Sequence, residues 1–205
     1  MLFDLDDTLY PRTSGIWQAI GVRMDDYIID RLKIDPQKVA NLRNDLYHQY
    51  GTTLRGLREV FGIDESEFLT YVHDVPIDRF LRKDELLIKT LSQFSQRKII
   101  FTNADTNHAK RVVNQLGIHH LFNQVIDIQA IHPFCKPMSE AYKIAIDLAG
   151  IDDPEECVMI DDSERNLVTA HELGFFTIHI GSTDKLDFMN AAVPSIYQLP
   201  EIIPV

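Results

Sequence analysis

Phe3-Asp4-Leu5-Asp6-Asp7-Thr8 decides the fold. A short apolar run ends in a carboxylate, a second carboxylate follows two positions on, and a threonine two beyond that. Apolar residues running into a polar turn read as a buried parallel strand followed by a loop. In an open α/β sheet, ligands bind outside the carboxyl ends of the strands. Asp4 is therefore expected at the ligand end of a central strand, with Asp6 reaching back over it.

Two acids held close are costly unless a cation offsets them. A hard divalent ion with oxygen ligands suits them, and Mg²⁺ is the usual choice beside phosphate. The same pair suits covalent phosphoryl transfer. One carboxylate attacks phosphorus, and the other protonates the leaving oxygen and then activates water. Read alone, Asp-x-Asp-x-Thr is also compatible with a plain polar turn after a strand.

The 205 residues suffice for one α/β core plus a modest insertion. Net charge is −11 and no basic stripe is visible, which argues against a nucleic-acid polymer as partner. A small phosphorylated metabolite needs only a local cation and stays compatible. No apolar run approaches membrane-spanning length, and no signal peptide is seen. Cys135 and Cys157 lack metal-ligand and Cys-x-x-Cys spacing, and two unpaired thiols suit a reducing, cytoplasmic setting. Because the chain starts just ahead of Asp4, the first strand is expected to be short, which leaves room for a native chain that begins earlier.

After Tyr10-Pro11 the pattern turns helical up to about Tyr71. Ile16, Ile20, Met24, Tyr27 and Ile28 follow a helical period. Asp35-Pro36 opens a second helix that stops at Gly51, Leu54 and Leu57 mark a third that stops at Gly62, and Asp64-x-x-Glu67 opens a fourth. These predict a small four-helix domain over residues 12–79. Pro76 and the stretch near Asp78 read as its return linker.

From Asp84 on, helices and strands alternate, with strands near 98–101, 122–128, 157–160 and 175–180. This predicts a Rossmann-like α/β core with a parallel sheet, formed by residues 1–11 and 80–205.

Polar groups accumulate just beyond the strand ends. Thr102 and Asn103 precede a helix, where a hydroxyl and open N–H groups can hold phosphate oxygens or simply cap the helix. Lys136, flanked by apolar residues and proline, suits the offset of charge on Asp4 and a phosphate, although most lysines are exposed. Asp161 and Asp162 complete an oxygen cage for Mg²⁺, or else favour a helix N-terminus. Together they form the constellation expected of a catalytic site.

Asp4-x-Asp6-x-Thr8, Thr102, Lys136 and Asp161-Asp162 resemble, in order, the motifs of the haloacid dehalogenase (HAD) superfamily. That resemblance implies Asp4 as nucleophile and metal ligand. It implies Asp6 as general acid/base whose main-chain carbonyl binds Mg²⁺. Thr102 would hold phosphate, Lys136 would steady nucleophile and phosphate, and Asp162 would be the direct metal ligand with Asp161 beside it. The inserted helices resemble a type C1 cap. Asn166 departs from many HAD phosphatases, in which an aspartate often stands there.

A narrower likeness is to the pyrimidine 5′-nucleotidase-type branch. It rests on Asp4 to Tyr10, on Tyr50-Gly51-Thr52-Thr53-Leu54-Arg55-Gly56-Leu57, on Thr102-Asn103-Ala104-Asp105-x-x-His108-Ala109 and on Asp161-Asp162-Ser163-x-x-Asn166. It implies a Mg²⁺-dependent phosphatase acting on nucleoside 5′-monophosphates, with Tyr50, Thr53 and Arg55 of the cap touching substrate. A monomer or homodimer is expected. The alternatives are a phosphatase for another small metabolite such as a sugar phosphate or phosphoglycolate, a phosphomutase, a haloacid dehalogenase, and a non-catalytic binding protein. Asp6 speaks against dehalogenation, which needs no such acid.

Overall fold

The computed structural model describes residues 1–204. In chain order its strands are β1 (Leu2–Phe3), β2 (Ile99–Phe101), β3 (Gln124–Ile126), β4 (Val158–Asp161), β5 (Phe176–Ile180) and β6 (Ala191–Val193). The helices are α1 (Ile16–Leu32), α2 (Pro36–Tyr50), α3 (Thr53–Phe61), α4 (Glu65–Val72), α5 (Ile77–Phe80), α6 (Glu85–Ser92), α7 (Thr106–Leu116), α8 (Ser139–Ala149), α9 (Glu164–Glu172) and α10 (Leu199–Ile202). The chain divides into two compact units. One comprises Met1–Ser14 and everything from Leu81 onward, and the other Gly15–Phe80.

Among the described residues, the first unit holds a six-stranded sheet ordered β3-β2-β1-β4-β5-β6. Every pairing is parallel. β1 has only two residues, yet it lies at the centre. Leu2 faces Ile99 on one side and Met159 on the other, while Phe3 faces Ile100 and Ile160. The Asp4 N–H continues this pairing to the Ile160 carbonyl at 2.8 Å.

Leu2 and Phe3 point to opposite faces of the sheet and both are fully buried. That is the mark of a parallel sheet covered on both sides. On one face Leu2, Ile99, Phe101 and Met159 pack with Ala141, Tyr142 and Ala145 of α8 and Leu167 and Ala170 of α9. The alanines let the helices come close to the sheet. Truncating Leu2 to alanine in such a core would cost about 2–5 kcal/mol.

From β1 the chain runs outward through β2 and β3, then returns to the other side of β1 at β4. The gap between β1 and β4 is thus the topological switch point, where ligands bind in folds of this class. Asp4 directly follows β1 and Asp161 ends β4, the two strands that flank it.

In the second unit the helix boundaries follow the capping chemistry of the sequence. The side chain of Asp35 accepts from the Gln37 N–H, that of Thr52 from Arg55 and that of Asp64 from Glu67. Gly51 and Gly62 close α2 and α3 with φ of 91° and 66°, which favours glycine. Gly56 is required by packing, because a Cβ there would lie 2.6 Å from the Cβ of Leu46.

Two details differ from the sequence reading. The return segment near Asp78 is the one-turn helix α5, following Pro76. A sixth strand, β6, pairs with β5 at the sheet edge. No helix of the described residues is long and apolar enough to cross a membrane.

Candidate active site

Asp4 is almost wholly buried, and so is the lysine that reaches it. Lys136 Nζ donates to Asp4 Oδ1 at 2.7 Å and to Asp161 Oδ2 at 2.8 Å. One ammonium therefore ties together the ends of β1 and β4. Burial alone would lower the lysine, but Asp161 and Asp4 outweigh it and hold Lys136 above its ordinary range, so it stays charged.

The loop carrying Lys136 is clamped by Asn103. The Asn103 carboxamide accepts from the Lys136 N–H at 2.9 Å and donates to the Lys136 carbonyl at 3.0 Å. The Asn103 side chain faces this backbone, so the phosphate contact expected of Asn103 would come from its main chain. Thr102 is buried at the end of β2, and its hydroxyl accepts from the Ala104 N–H at 3.0 Å.

Asp161 is fully engaged. Besides Lys136, it accepts from the Ser163 N–H at 2.8 Å and from Asn166 Nδ2 at 3.1 and 3.0 Å. Asp162 is less tied. Thr8 Oγ1 accepts from the Asp162 N–H at 3.1 Å and lies 3.4 Å from Asp4 Oδ2 and 3.5 Å from Asp162 Oδ1. His179 on β5 meets the Asp162 main-chain carbonyl through Nε2 at 2.9 Å, and only a protonated Nε2 satisfies that contact.

Asp4, Asp161 and Asp162 each offer an oxygen within 4.8 Å of the others. Burial pushes the Asp4 carboxyl up, with Asp161 and Asp162 adding to it against the pull of Lys136. Burial, then Asp161 and Asp7, push Asp162 up to about 7. The site thus carries more negative charge than one ammonium offsets, and an oxygen-only donor set fits a hard divalent cation such as Mg²⁺.

Asp6 has partners that sequence reasoning missed. The Tyr10 hydroxyl donates to Asp6 Oδ1, and His108 Nε2 lies 2.8 Å from the same oxygen. His108 is fully buried. It follows Asp105 by three residues in the sequence, but only the structure reveals what it touches. Burial and then Asp6 drive the Tyr10 hydroxyl well above its ordinary range, so it remains a donor.

A sequence profile of the haloacid dehalogenase-like hydrolases matches residues 1–174. The chain belongs to the haloacid dehalogenase-like hydrolases.

Two HAD relatives carry names that refer to phosphate. Phosphate metabolism protein 8 of Saccharomyces cerevisiae is 27% identical over 87% of this chain. The chain spans 60% of the length of that yeast protein. A glyceraldehyde 3-phosphate phosphatase of Methanocaldococcus jannaschii is 28% identical, over 99% of this chain and 96% of its own.

Solved HAD structures share the fold. The magnesium-bound HAD hydrolase YfnB of Bacillus subtilis gives a TM-score of 0.67 at 16% identity, covering 100% of this chain and 97% of that one. L-2-haloacid dehalogenase of Xanthobacter autotrophicus gives 0.61 at 15% identity, covering 98% and 96%.

The cap residues singled out by the HAD-branch likeness lie around the α2–α3 corner. Tyr50 ends α2 and Thr53 begins α3, where it is buried. The Arg55 guanidinium folds back, and its Nη1 donates to the Tyr50 carbonyl at 3.1 Å. Part of this string therefore serves the corner itself, through the Thr52 cap, Gly51 and Gly56.

Proposed function

We propose that this protein is a Mg²⁺-dependent phosphomonoester hydrolase that works through an aspartyl-phosphate on Asp4. One observation carries the reading. A buried carboxylate at the end of the central strand is held by a buried lysine, and a second carboxylate two residues on has its own polar partners.

In the first step an Asp4 oxygen bonds to phosphorus, and the bond from phosphorus to the leaving oxygen breaks. Protonated Asp6 gives its proton to that oxygen, so an alcohol departs. In the second step the Asp6 carboxylate takes a proton from water. The water oxygen bonds to phosphorus, the Asp4–phosphorus bond breaks, and inorganic phosphate leaves.

Lys136 aims Asp4 and offsets its charge. Thr102 and the backbone N–H groups that follow it receive phosphate oxygens. Asp4, Asp162 and the Asp6 carbonyl would hold Mg²⁺, with Asp161 fixing Lys136 beside them. When bound, the ion supplies positive charge against the transferring phosphoryl group.

Asp6 with its partners argues for this chemistry over dehalogenation, although dehalogenases share the fold. The substrate is a small phosphorylated metabolite. The nucleotidase-branch strings favour nucleoside 5′-monophosphates, while the name of the M. jannaschii relative favours a triose phosphate. A phosphate-release panel over nucleoside monophosphates, sugar phosphates and phosphoglycolate, with and without Mg²⁺, decides. Mg²⁺-dependent release from one class is expected. No release from any monoester, or isomerisation without net release, would overturn the hydrolase reading.

A further inference from the structure

Asp6 Oδ1 is met from two directions. The Tyr10 hydroxyl approaches Oδ1 from the turn that leaves β1, and His108 Nε2 approaches Oδ1 from α7 at 2.8 Å. Both partners are buried, His108 completely, while the Asp6 side chain keeps 13% of its surface exposed.

Helix chemistry puts the ring there. Asp105 is the N-cap of α7, and its carboxylate accepts from the His108 N–H at 2.9 Å. His108 is thus locked in the first turn of a helix that starts at the end of β2. An exposed polar face would be the ordinary place for histidine near a helix start. Here the ring is instead turned inward onto a carboxylate.

An acid/base at this site must move a proton in opposite directions in the two steps, at nearly one point in space. A carboxyl that swings between rotamers meets that point only part of the time, and positioning errors near 1 Å are costly.

The geometry points to His108 and Tyr10 as positioning residues that fix the Asp6 carboxyl, so that one carboxyl position serves both the leaving group and the attacking water. The inference rests on the proposed role of Asp6 as acid/base. His108 acts through Asp6 and never touches the reacting atoms.

The test is kcat/KM over phosphate monoesters whose leaving groups range from an alkyl alcohol to p-nitrophenol. This parameter stops at formation of the phosphoenzyme, in which a good leaving group needs no proton. His108→Leu and Tyr10→Phe should each lose at least ~10-fold more on the alkyl ester than on the nitrophenyl ester, part of the ~100-fold or more that a general acid supplies. His108→Gln, which keeps an N–H donor near the Nε2 position, should recover most of that loss. Adding His108→Leu to Asp6→Asn should cost nothing further on the alkyl ester, because the partner it acts through is gone.

Equal losses across the series, failure of the glutamine to rescue, or additive losses in the double variant would overturn the positioning role. Tyr10→Phe keeps the test sound if the leucine variant does not fold. If Asp6→Asn itself loses equally on all esters, the acid/base reading has failed, and the positioning role falls with it. Leaving-group dependence in Asp6→Asn but not in the His108 and Tyr10 variants would overturn the positioning role alone.

Discussion

Asn166 donates to both carboxylate oxygens of Asp161, at 3.1 and 3.0 Å. A neutral amide stands where many HAD phosphatases carry an acid, and here it braces a fully buried carboxylate. An aspartate at 166 would face Asp161 with like charge. Asn166→Asp should therefore lower metal-free stability by about 1–3 kcal/mol at neutral pH, and Asn166→Ala by less. Urea midpoints compare the two. A smaller shift for the aspartate would show that charge is not what the amide manages.

Lys136 is the only cation whose contacts join β1 to β4 among the described residues. Removing it leaves two buried acids without their partner. Lys136→Met should cost about 3–5 kcal/mol at neutral pH. It should also lower kcat at least ~100-fold, because the charge that aims the nucleophile is lost. Urea unfolding within ~1 kcal/mol of wild type would contradict the ion-pair geometry.

The third prediction links pH to metal. Asp162 is pushed up to about 7 from an ordinary 3.8, chiefly by burial, and Asp4 moves in the same direction. Between these values the folded state binds more protons than the unfolded one. The stability contributed by protonated Asp162 is present below the lower value and is lost as pH rises towards the upper one. A divalent cation binds the ionised form, so its stabilising effect should grow over the same window. Melting temperatures with EDTA and with Mg²⁺, taken at pH values of about 5 and about 8, check this. A Mg²⁺ shift that does not change with pH would remove these carboxylates as the cation site.

The core was legible because strand ends carry local signals. An apolar run into an acid, repeated at Asp4 and Asp161 with helical stretches between, predicts a parallel sheet with both acids at one edge. β6 escaped because Ala191–Val193 is three small residues at the sheet edge, with no alternation to read. α5 escaped because a single turn has no period.

At the site, residue types were legible but contacts were not. Asn103 bonds to Lys136 across 33 positions, and His108 to Asp6 across 102. No spacing rule reaches that far. One signal was present for His108: Asp105 three residues earlier predicts a helix cap, which sets position 108 in the first turn.

Substrate discrimination has to arise outside the Asp4, Lys136 and Thr102 cluster, since every monoester offers the same phosphate to it. The likeness of the Tyr50–Gly56 string to nucleotidase-type HAD proteins points to Arg55. Arg55→Ala should weaken selectivity among nucleoside monophosphates while largely sparing a small aryl phosphate. Comparing kcat/KM for both substrate types checks this. Equal losses, or none, would place Arg55 within the α2–α3 corner alone, where its bond to the Tyr50 carbonyl already has a structural use.

The central claim is that phosphate passes through Asp4. Asp6→Asn should still form the intermediate from p-nitrophenyl phosphate but hydrolyse it slowly, so the phosphoenzyme should accumulate. Rapid acid quench followed by peptide mass spectrometry reads it directly. The account predicts one phosphoryl group on the peptide carrying Asp4, removed by hydroxylamine and absent from Asp4→Asn. A phosphoryl group on another residue, or full turnover by Asp4→Asn with no adduct anywhere, would contradict it.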